Sequence, residues 1–283
     1  LGNWRFTLGG RQDWSEDESS NLLNDYQYDT DADKFTWRAG AVYLFDNGFA
    51  PYVSYSESFL PQVVDPSSTL GGVLFDPTTG QQFEAGVRYQ GGRNIYLTLG
   101  AYDIIQENVS TSDPGGTLCG TRVCQIQTGE AEVKGIEFEG RASLDTGTTF
   151  ILSASTQDAE VTKSNDGIEG NTLAQVPEVL ASFFINQEVE NGTFKGTGFG
   201  GGIRYTGESF GDSNNVFEIE DYTLFDLFVR YDLGALGPAA EGVDISLNVR
   251  NVANERYVTT CSSVASCFYG QGRVVTARLQ YRW

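Results

Sequence analysis

The stretch VVTARLQYRW, residues 274–283, alternates without a break. Val275, Ala277, Leu279, Tyr281 and Trp283 are apolar or aromatic, while Thr276, Arg278, Gln280 and Arg282 between them are polar or charged. Successive side chains of a β-strand point to opposite faces, so this pattern describes a strand between two different solvents.

The same alternation recurs upstream. Phe35, Trp37, Ala39, Ala41, Tyr43 and Phe45 share one face of a strand, and Phe83, Ala85, Val87 and Tyr89 share another. Thr223, Phe225, Leu227, Val229, Tyr231 and Leu233 repeat it, as do Val243, Ile245, Leu247 and Val249. Twelve strands are predicted, at 1–11, 34–45, 49–57, 81–89, 94–106, 129–143, 149–156, 177–189, 194–206, 221–233, 242–253 and 267–283. Most reach the ~9–11 residues that a tilted strand needs to cross a bilayer. No segment carries a convincing helical period, and no run of 18 apolar residues suggests a membrane helix.

The connections separate a membrane barrel from a soluble sandwich. Long ones (12–33, 58–80, 107–128, 157–176, 207–220, 254–266) alternate with short ones (46–48, 90–93, 144–148, 190–193, 234–241). The short ones carry turn chemistry, such as Asp46-Asn47-Gly48 and Asp145-Thr146-Gly147. Long loops on one rim and short turns on the other is the layout of an outer-membrane barrel. The last strand then runs toward the periplasm.

Composition narrows the function. With 38 acids against 18 Lys and Arg, the net charge of −20 opposes nucleic acid as a partner. The chain has no His, which removes His-based general-base catalysis and most zinc chemistry, so no enzyme is expected. The predicted inner faces collect Arg38, Arg88, Arg141, Arg204, Arg230, Arg250, Arg278 and Arg282 beside Glu84, Glu137, Glu139, Asp226 and Asp244. Such an interior cannot be dry. Its arginines are expected to pair with neighbouring carboxylates or with a polar domain inside the barrel. The acidic run Asp29-Thr30-Asp31-Ala32-Asp33 lacks the Gly and terminal Glu of a calcium loop and reads as a solvated loop, so no metal site is assigned. The four cysteines form two close pairs, Cys119/Cys124 and Cys261/Cys267, in polar long loops. Two local disulfides in an oxidising compartment is the preferred reading. Leu1 enters directly into an alternating segment, so the protein's true beginning is expected upstream.

Several segments in order resemble one family. YVSYSESFLPQ (52–62), QQFEAGVRYQ (81–90), LTLGAYDIIQENVSTSDP (97–114), GEAEVKGIEFEGRASL (129–144), QVPEVLASFFIN (175–186), YTLFDLFVRYDL (222–233) and LNVRNVANERYV (247–258) are similar to barrel strands of TonB-dependent outer-membrane receptors. The ending CSSVASCFYGQGRVVTARLQYRW (261–283) is the most specific match. The resemblance is to the ferric-siderophore branch and covers nearly the whole chain. It implies an all-β transmembrane antiparallel barrel of 22 strands, of which these are the last twelve. The plug domain and energy-coupling box of such receptors are not in this chain. The implied function is import of a ferric siderophore across the cell outer membrane of a Gram-negative bacterium. The implied partners are the siderophore as transported ligand, TonB with its inner-membrane complex, the protein's own plug, the barrel-assembly machinery and outer-membrane lipid.

Ligand contacts in the family are aromatic and polar groups near the outer mouth, which here suggests Phe59, Tyr102, Phe217 and Tyr222. Tyr281 and Trp283 are implied as the barrel-assembly signal beside their role in an aromatic girdle. Acidic outer loops would repel a strongly anionic chelate within the ~8–10 Å reach of screening in saline. A neutral or cationic hydroxamate-type complex fits better. Two other readings are a complete 12-stranded passive porin-like barrel and a haem or cobalamin receptor of the same superfamily.

Overall fold

A computed structural model describes residues 2–21, 26–263 and 266–283. Its main body is one antiparallel sheet of twelve strands in which each strand pairs with its sequence neighbours. The strands are β1 (Trp4–Asn21), β2 (Tyr26–Tyr43), β3 (Phe49–Leu60), β4 (Thr78–Gly91), β5 (Ile95–Ser112) and β6 (Gln125–Ser143). They continue as β7 (Thr148–Lys163), β8 (Val179–Glu188), β9 (Thr197–Thr206), β10 (Tyr222–Asp232), β11 (Val243–Arg250) and β12 (Val274–Tyr281). Among the described residues, β1 and β12 are not paired with each other, so the sheet has two open edges.

One face is apolar from edge to edge. Cross-strand register aligns Phe6, Ala41, Val53, Ala85, Ala101 and Ile136 in one row. Leu8, Phe83, Val275 and Leu279 on this face are 60–83% exposed. In water such a surface would aggregate; against acyl chains it is the required surface. Aromatic residues mark its limits. Trp4 and Tyr43 meet at 5.1 Å near one end of β1, and Trp14 stands 77% exposed further along the same strand. From Trp4 to Trp14 a strand tilted ~40° rises about 25 Å, the height of a barrel's apolar band.

The opposite face is polar and paired. Arg204 meets Asp226 and Arg282 meets Asp244 across neighbouring strands, while Arg230 on β10 reaches past β9 to Glu188 on β8. Tyr52 donates to Glu84, and Arg88 sits 4.5 Å above its ring. That ring lies flat across the wall because Gly86 and Gly100 leave room: a Cβ at Gly86 would come within 2.8 Å of it. Tyr102 lies over Gly135 in the same way. Glycine thus lets large side chains fold sideways, which leaves space toward the barrel axis.

The predicted strands all form, but the first hairpin is longer than expected. Residues 12–21 and 26–33, read as loop, continue β1 and β2, while residues 22–25 lie outside the described residues. The acidic run 29–33 is therefore strand. Glu16 faces Asp31 and Glu18 faces Asp29 on an exposed face, where water keeps like-charge repulsion to tenths of a kcal/mol, roughly. Polarity suggested a loop, yet the period of two persists through it. The last strand begins at Val274 instead of 267, since Ser266–Tyr269 pairs with Val258–Ser263 in a separate hairpin. Short turns still occupy one rim and long excursions the other.

Candidate ligand site at the outer mouth

β10 starts at Tyr222, whose side chain joins Leu224, Asp226 and Arg230 on the polar face. Tyr257 reaches it from the connection after β11, with ring centroids 4.2 Å apart. Asn251 makes that approach possible. It adopts φ 51, a left-handed conformation that Asn tolerates. Its side chain donates to Glu255 O at 2.9 Å and Gln271 O at 3.1 Å, and accepts from Glu255 N at 2.8 Å. Its backbone N–H donates to Asp226 Oδ1 at 2.9 Å. Asp226 in turn takes a forked pair from Arg204, Nε at 2.7 Å and Nη2 at 3.1 Å. A bidentate guanidinium fixes direction as well as charge. The ladder Arg204–Asp226–Asn251 therefore sets where the loop leaves the wall and where Tyr257 lands.

Phe217, Tyr222, Tyr257 and Tyr269 line a pocket of about 540 Å³. Its charged lining is Glu218, Glu220, Asp221 and Glu255 against Arg256. Burial pushes the Tyr257 phenol up, with Tyr222 adding to it, so it stays neutral. Beside the pocket, the Glu208 carboxyl is raised by its hydrogen bond to Glu218 and by that carboxylate's charge. The site offers aromatic faces and hydrogen-bond acceptors within a negative field. It suits a compact ligand that is neutral or positive.

The rim is braced by loop-to-loop bonds. Gln175 Nε2 donates to Cys261 O at 2.9 Å, and Gln175 N donates to Phe210 O at 2.7 Å. Asn215 Nδ2 donates to Thr172 O at 2.9 Å, while Thr172 N donates to Asn215 Oδ1 at 2.7 Å. Cys261 and Cys267 are disulfide-bonded inside this assembly, with Cys261 fully buried. Cys119 and Cys124 bridge a second knot, where Thr69 O lies 3.3 Å from Cys119 Sγ and Gln127 ties Asp76 to Asn108.

The four aromatic candidates do not all converge. Phe217 and Tyr222 share the pocket. Tyr102 is on the polar face of β5, donating to Gln157 Oε1 at 3.1 Å, well along the sheet from Tyr222. Phe59 lies on the alternation of Val53 and Tyr55, the outward face of β3. Tyr281 and Trp283 stand together, ring centroids 6.4 Å apart, on the exposed outer side of the last strand. Sequence reading missed Tyr257 and Tyr269, which lie in irregular segments with no period to flag them. The available signal was the Asn-rich NVAN run (251–254), where Asn251 and Asn254 both take positive φ. Among the described residues, no three carboxylate or thiol groups converge to hold a metal.

Known proteins are similar to this chain in sequence and in fold. The chain is 39% identical over 280 residues to the ferrichrome outer membrane transporter/phage receptor of Escherichia coli, covering 98% of this chain and 36% of that protein. It is 33% identical over 283 residues to the ferrioxamine B receptor of Salmonella typhimurium, covering 98% and 38%. The chain thus spans little more than a third of these relatives. The solved siderophore receptor PiuA of Acinetobacter baumannii superposes with a TM-score of 0.81 at 21% identity over 99% of this chain and 41% of that one. The receptor BauA of the same species gives 0.83 at 20% identity over 99% and 40%. The family model for the TonB dependent receptor-like β-barrel matches residues 1–252, and the chain belongs to that family.

Proposed function

We propose that this chain is the C-terminal part of an outer-membrane receptor that imports a ferric siderophore of hydroxamate type, energised through TonB. The aromatic pocket of Phe217, Tyr222, Tyr257 and Tyr269 under an acidic rim is the observation that carries the ligand class. A tris-catecholate complex with several negative charges meets repulsion there; a trihydroxamate complex is neutral or, with a pendant amine, cationic. Relatives named for ferrichrome and ferrioxamine support the same class over haem or cobalamin.

The two open edges favour a larger barrel over a closed 12-stranded porin. Unpaired backbone groups cannot face hydrocarbon, so further strands must cover β1 and β12. We read these as upstream strands of a 22-stranded barrel whose lumen holds a plug. The paired inner arginines make the wall that the plug packs against, and the plug is the element that contacts TonB. The chain carries no catalytic chemistry in this reading. Tyr281 and Trp283 serve the assembly machinery as well as the girdle.

The test is a charge series on one chelate core. Ferric complexes of a linear trihydroxamate bearing a free amine, an acetylated amine or a succinylated amine differ only in net charge. Binding to the complete receptor should fall in that order, and steeply at low salt. A deletion strain should lose growth on the first two as sole iron sources. Equal or tighter binding of the succinylated complex, or undiminished growth on all three, overturns the assignment.

A further inference from the structure

Gln175 stands in the left-handed region at φ 66. Among the described residues, the other non-glycine positions with positive φ are Asn108, Asn215, Asn251 and Asn254, all asparagine. Asparagine tolerates this conformation best, so a glutamine there is kept for something the backbone does not supply. Its surroundings hold it from both sides. Leu173 N donates to Ala159 O at 2.8 Å, and Gln157 Nε2 donates to Pro177 O at 2.9 Å, which pins the chain on either side of Gln175 to β7. Strained backbone of this kind persists only where its neighbours over-determine it, and it gathers at sites that bind or move.

From that post the residue reaches two hairpins that carry the aromatic pocket. Its backbone N–H donates to Phe210 O at 2.7 Å, in the hairpin 209–219, where Phe210 pairs with Glu218 and Gly211 N donates to Phe217 O at 2.8 Å. Its Nε2 donates to Cys261 O at 2.9 Å, in the disulfide hairpin, where Val258 pairs with Tyr269. Phe217 and Glu218 belong to the first hairpin, Val258 and Tyr269 to the second, and all four line the pocket. Where the hairpins meet, Gly211 presents no side chain, and a Cβ there would come within 3.0 Å of Cys261 Cβ. The walls thus touch with no side chain between them, and two hydrogen bonds from one residue fix their spacing. An asparagine would suit the backbone, but its amide is a methylene short of Cys261 O. The length of the glutamine explains its presence.

We propose that Gln175 is the positioning residue that sets the width of the pocket and thereby selects chelates by size. With both bonds in place, the space of about 540 Å³ admits a compact complex and resists a bulkier one of the same charge. Losing the side-chain bond frees the disulfide hairpin to draw back. The compact chelate then loses contact with that wall, while the bulky one gains room. The proposal rests on the chelate-receptor reading and adds selection by size to selection by charge.

The test measures, by fluorescence quenching, how tightly the complete receptor binds two ferric cyclic trihydroxamates of equal charge. One carries acetyl and the other bulky acyl groups on its chelating arms. The native receptor should prefer the compact complex. Gln175→Glu keeps the length and replaces the donor with an acceptor, whereas Gln175→Asn suits the backbone and shortens the reach. Each should reduce the preference about fivefold, the value of one hydrogen bond. Gln175→Lys restores a donor of similar reach and should retain the native preference. Without ligand, hydrogen exchange in 209–219 and 258–263 should quicken in the first two variants and not in the third. The proposal is overturned by no native preference for the compact complex, by an unchanged preference in Gln175→Glu and Gln175→Asn, or by equal weakening of both chelates. Failure of Gln175→Lys to retain the preference overturns it as well. If the native receptor binds neither complex, the hydroxamate assignment falls, and the exchange rates then decide the role of Gln175: unchanged rates in Gln175→Glu overturn it.

Discussion

Tyr257 occupies the space that any side chain at Gly270 would need, and from there it stacks on Tyr222 at 4.2 Å. One glycine beyond the disulfide hairpin therefore decides whether the pocket has its aromatic wall. Gly270→Ala should displace the ring and weaken chelate binding about as much as Tyr257→Ala does. An aromatic pair contributes roughly 0.5–1.5 kcal/mol, so both variants should lose about threefold to tenfold in affinity by fluorescence quenching.

Asn251 is 2% exposed and holds three side-chain hydrogen bonds in a left-handed conformation. Asn251→Ala removes those bonds and strains the backbone, a cost of about 3 kcal/mol. Asn251→Gly keeps the conformation available and should lose less. Thermal unfolding of the complete barrel should rank native above Gly above Ala.

Tyr52 rests on Gly86 and Gly100, with Arg88 above it. Gly86→Ala forces the ring toward the lumen and should destabilise by roughly 1–3 kcal/mol, as overpacking does. Gly86→Ala combined with Tyr52→Ala should recover only the part due to the ring, because a Cβ at Gly86 also meets the backbone oxygen of Leu99. Thermal unfolding of the single and double variants checks the coupling.

Two outer loops should respond to pH with opposite sign. The Asp113 carboxyl is held below its usual range by the Thr117 hydroxyl and by the backbone N–H groups of Thr117 and Gly115. Its contribution is present above the ordinary carboxylate pKa and lost as pH falls through the lowered one. Glu208 is raised by sharing a hydrogen bond with Glu218. Its contribution is present below the ordinary pKa and lost as pH rises through the raised one. Hydrogen exchange corrected for intrinsic rates should show the 113–117 turn opening on acidification and the 207–220 loop tightening.

Trp283 is fully exposed beside Tyr281 on the outer side of the last strand. If this pair is the assembly signal, Trp283→Ala should slow barrel assembly in cells several-fold while leaving the unfolding temperature of assembled protein nearly unchanged. A lowered unfolding temperature with normal assembly kinetics would assign Trp283 to anchoring alone.

Period-two alternation, turn residues such as Asn47-Gly48, and long loops confined to one rim were legible in the sequence, and they determined an open-faced membrane sheet with an apolar outside and a wet inside. Each strand records its two solvents locally, residue by residue, so no partner is needed to read it. The continuation of β1 and β2 through residues 13–19 and 29–33 was not legible because polar and charged residues occupy both faces there, leaving little apolar contrast to mark a strand. The outward side of Phe59 follows from the alternation through Val53 and Tyr55, which runs on to the end of β3.

Tertiary structure alone decided which residues meet. Tyr257 reaches Tyr222 through the left-handed turn at Asn251 and the cleft at Gly270, neither of which has a period. Phe6 on β1 and Asp103 on β5 border one furrow on the outward face because strand tilt and register shift a row obliquely across five strands. Those are non-local hydrogen-bond choices. The sequence constrains them only through the sum of all the pairings they create.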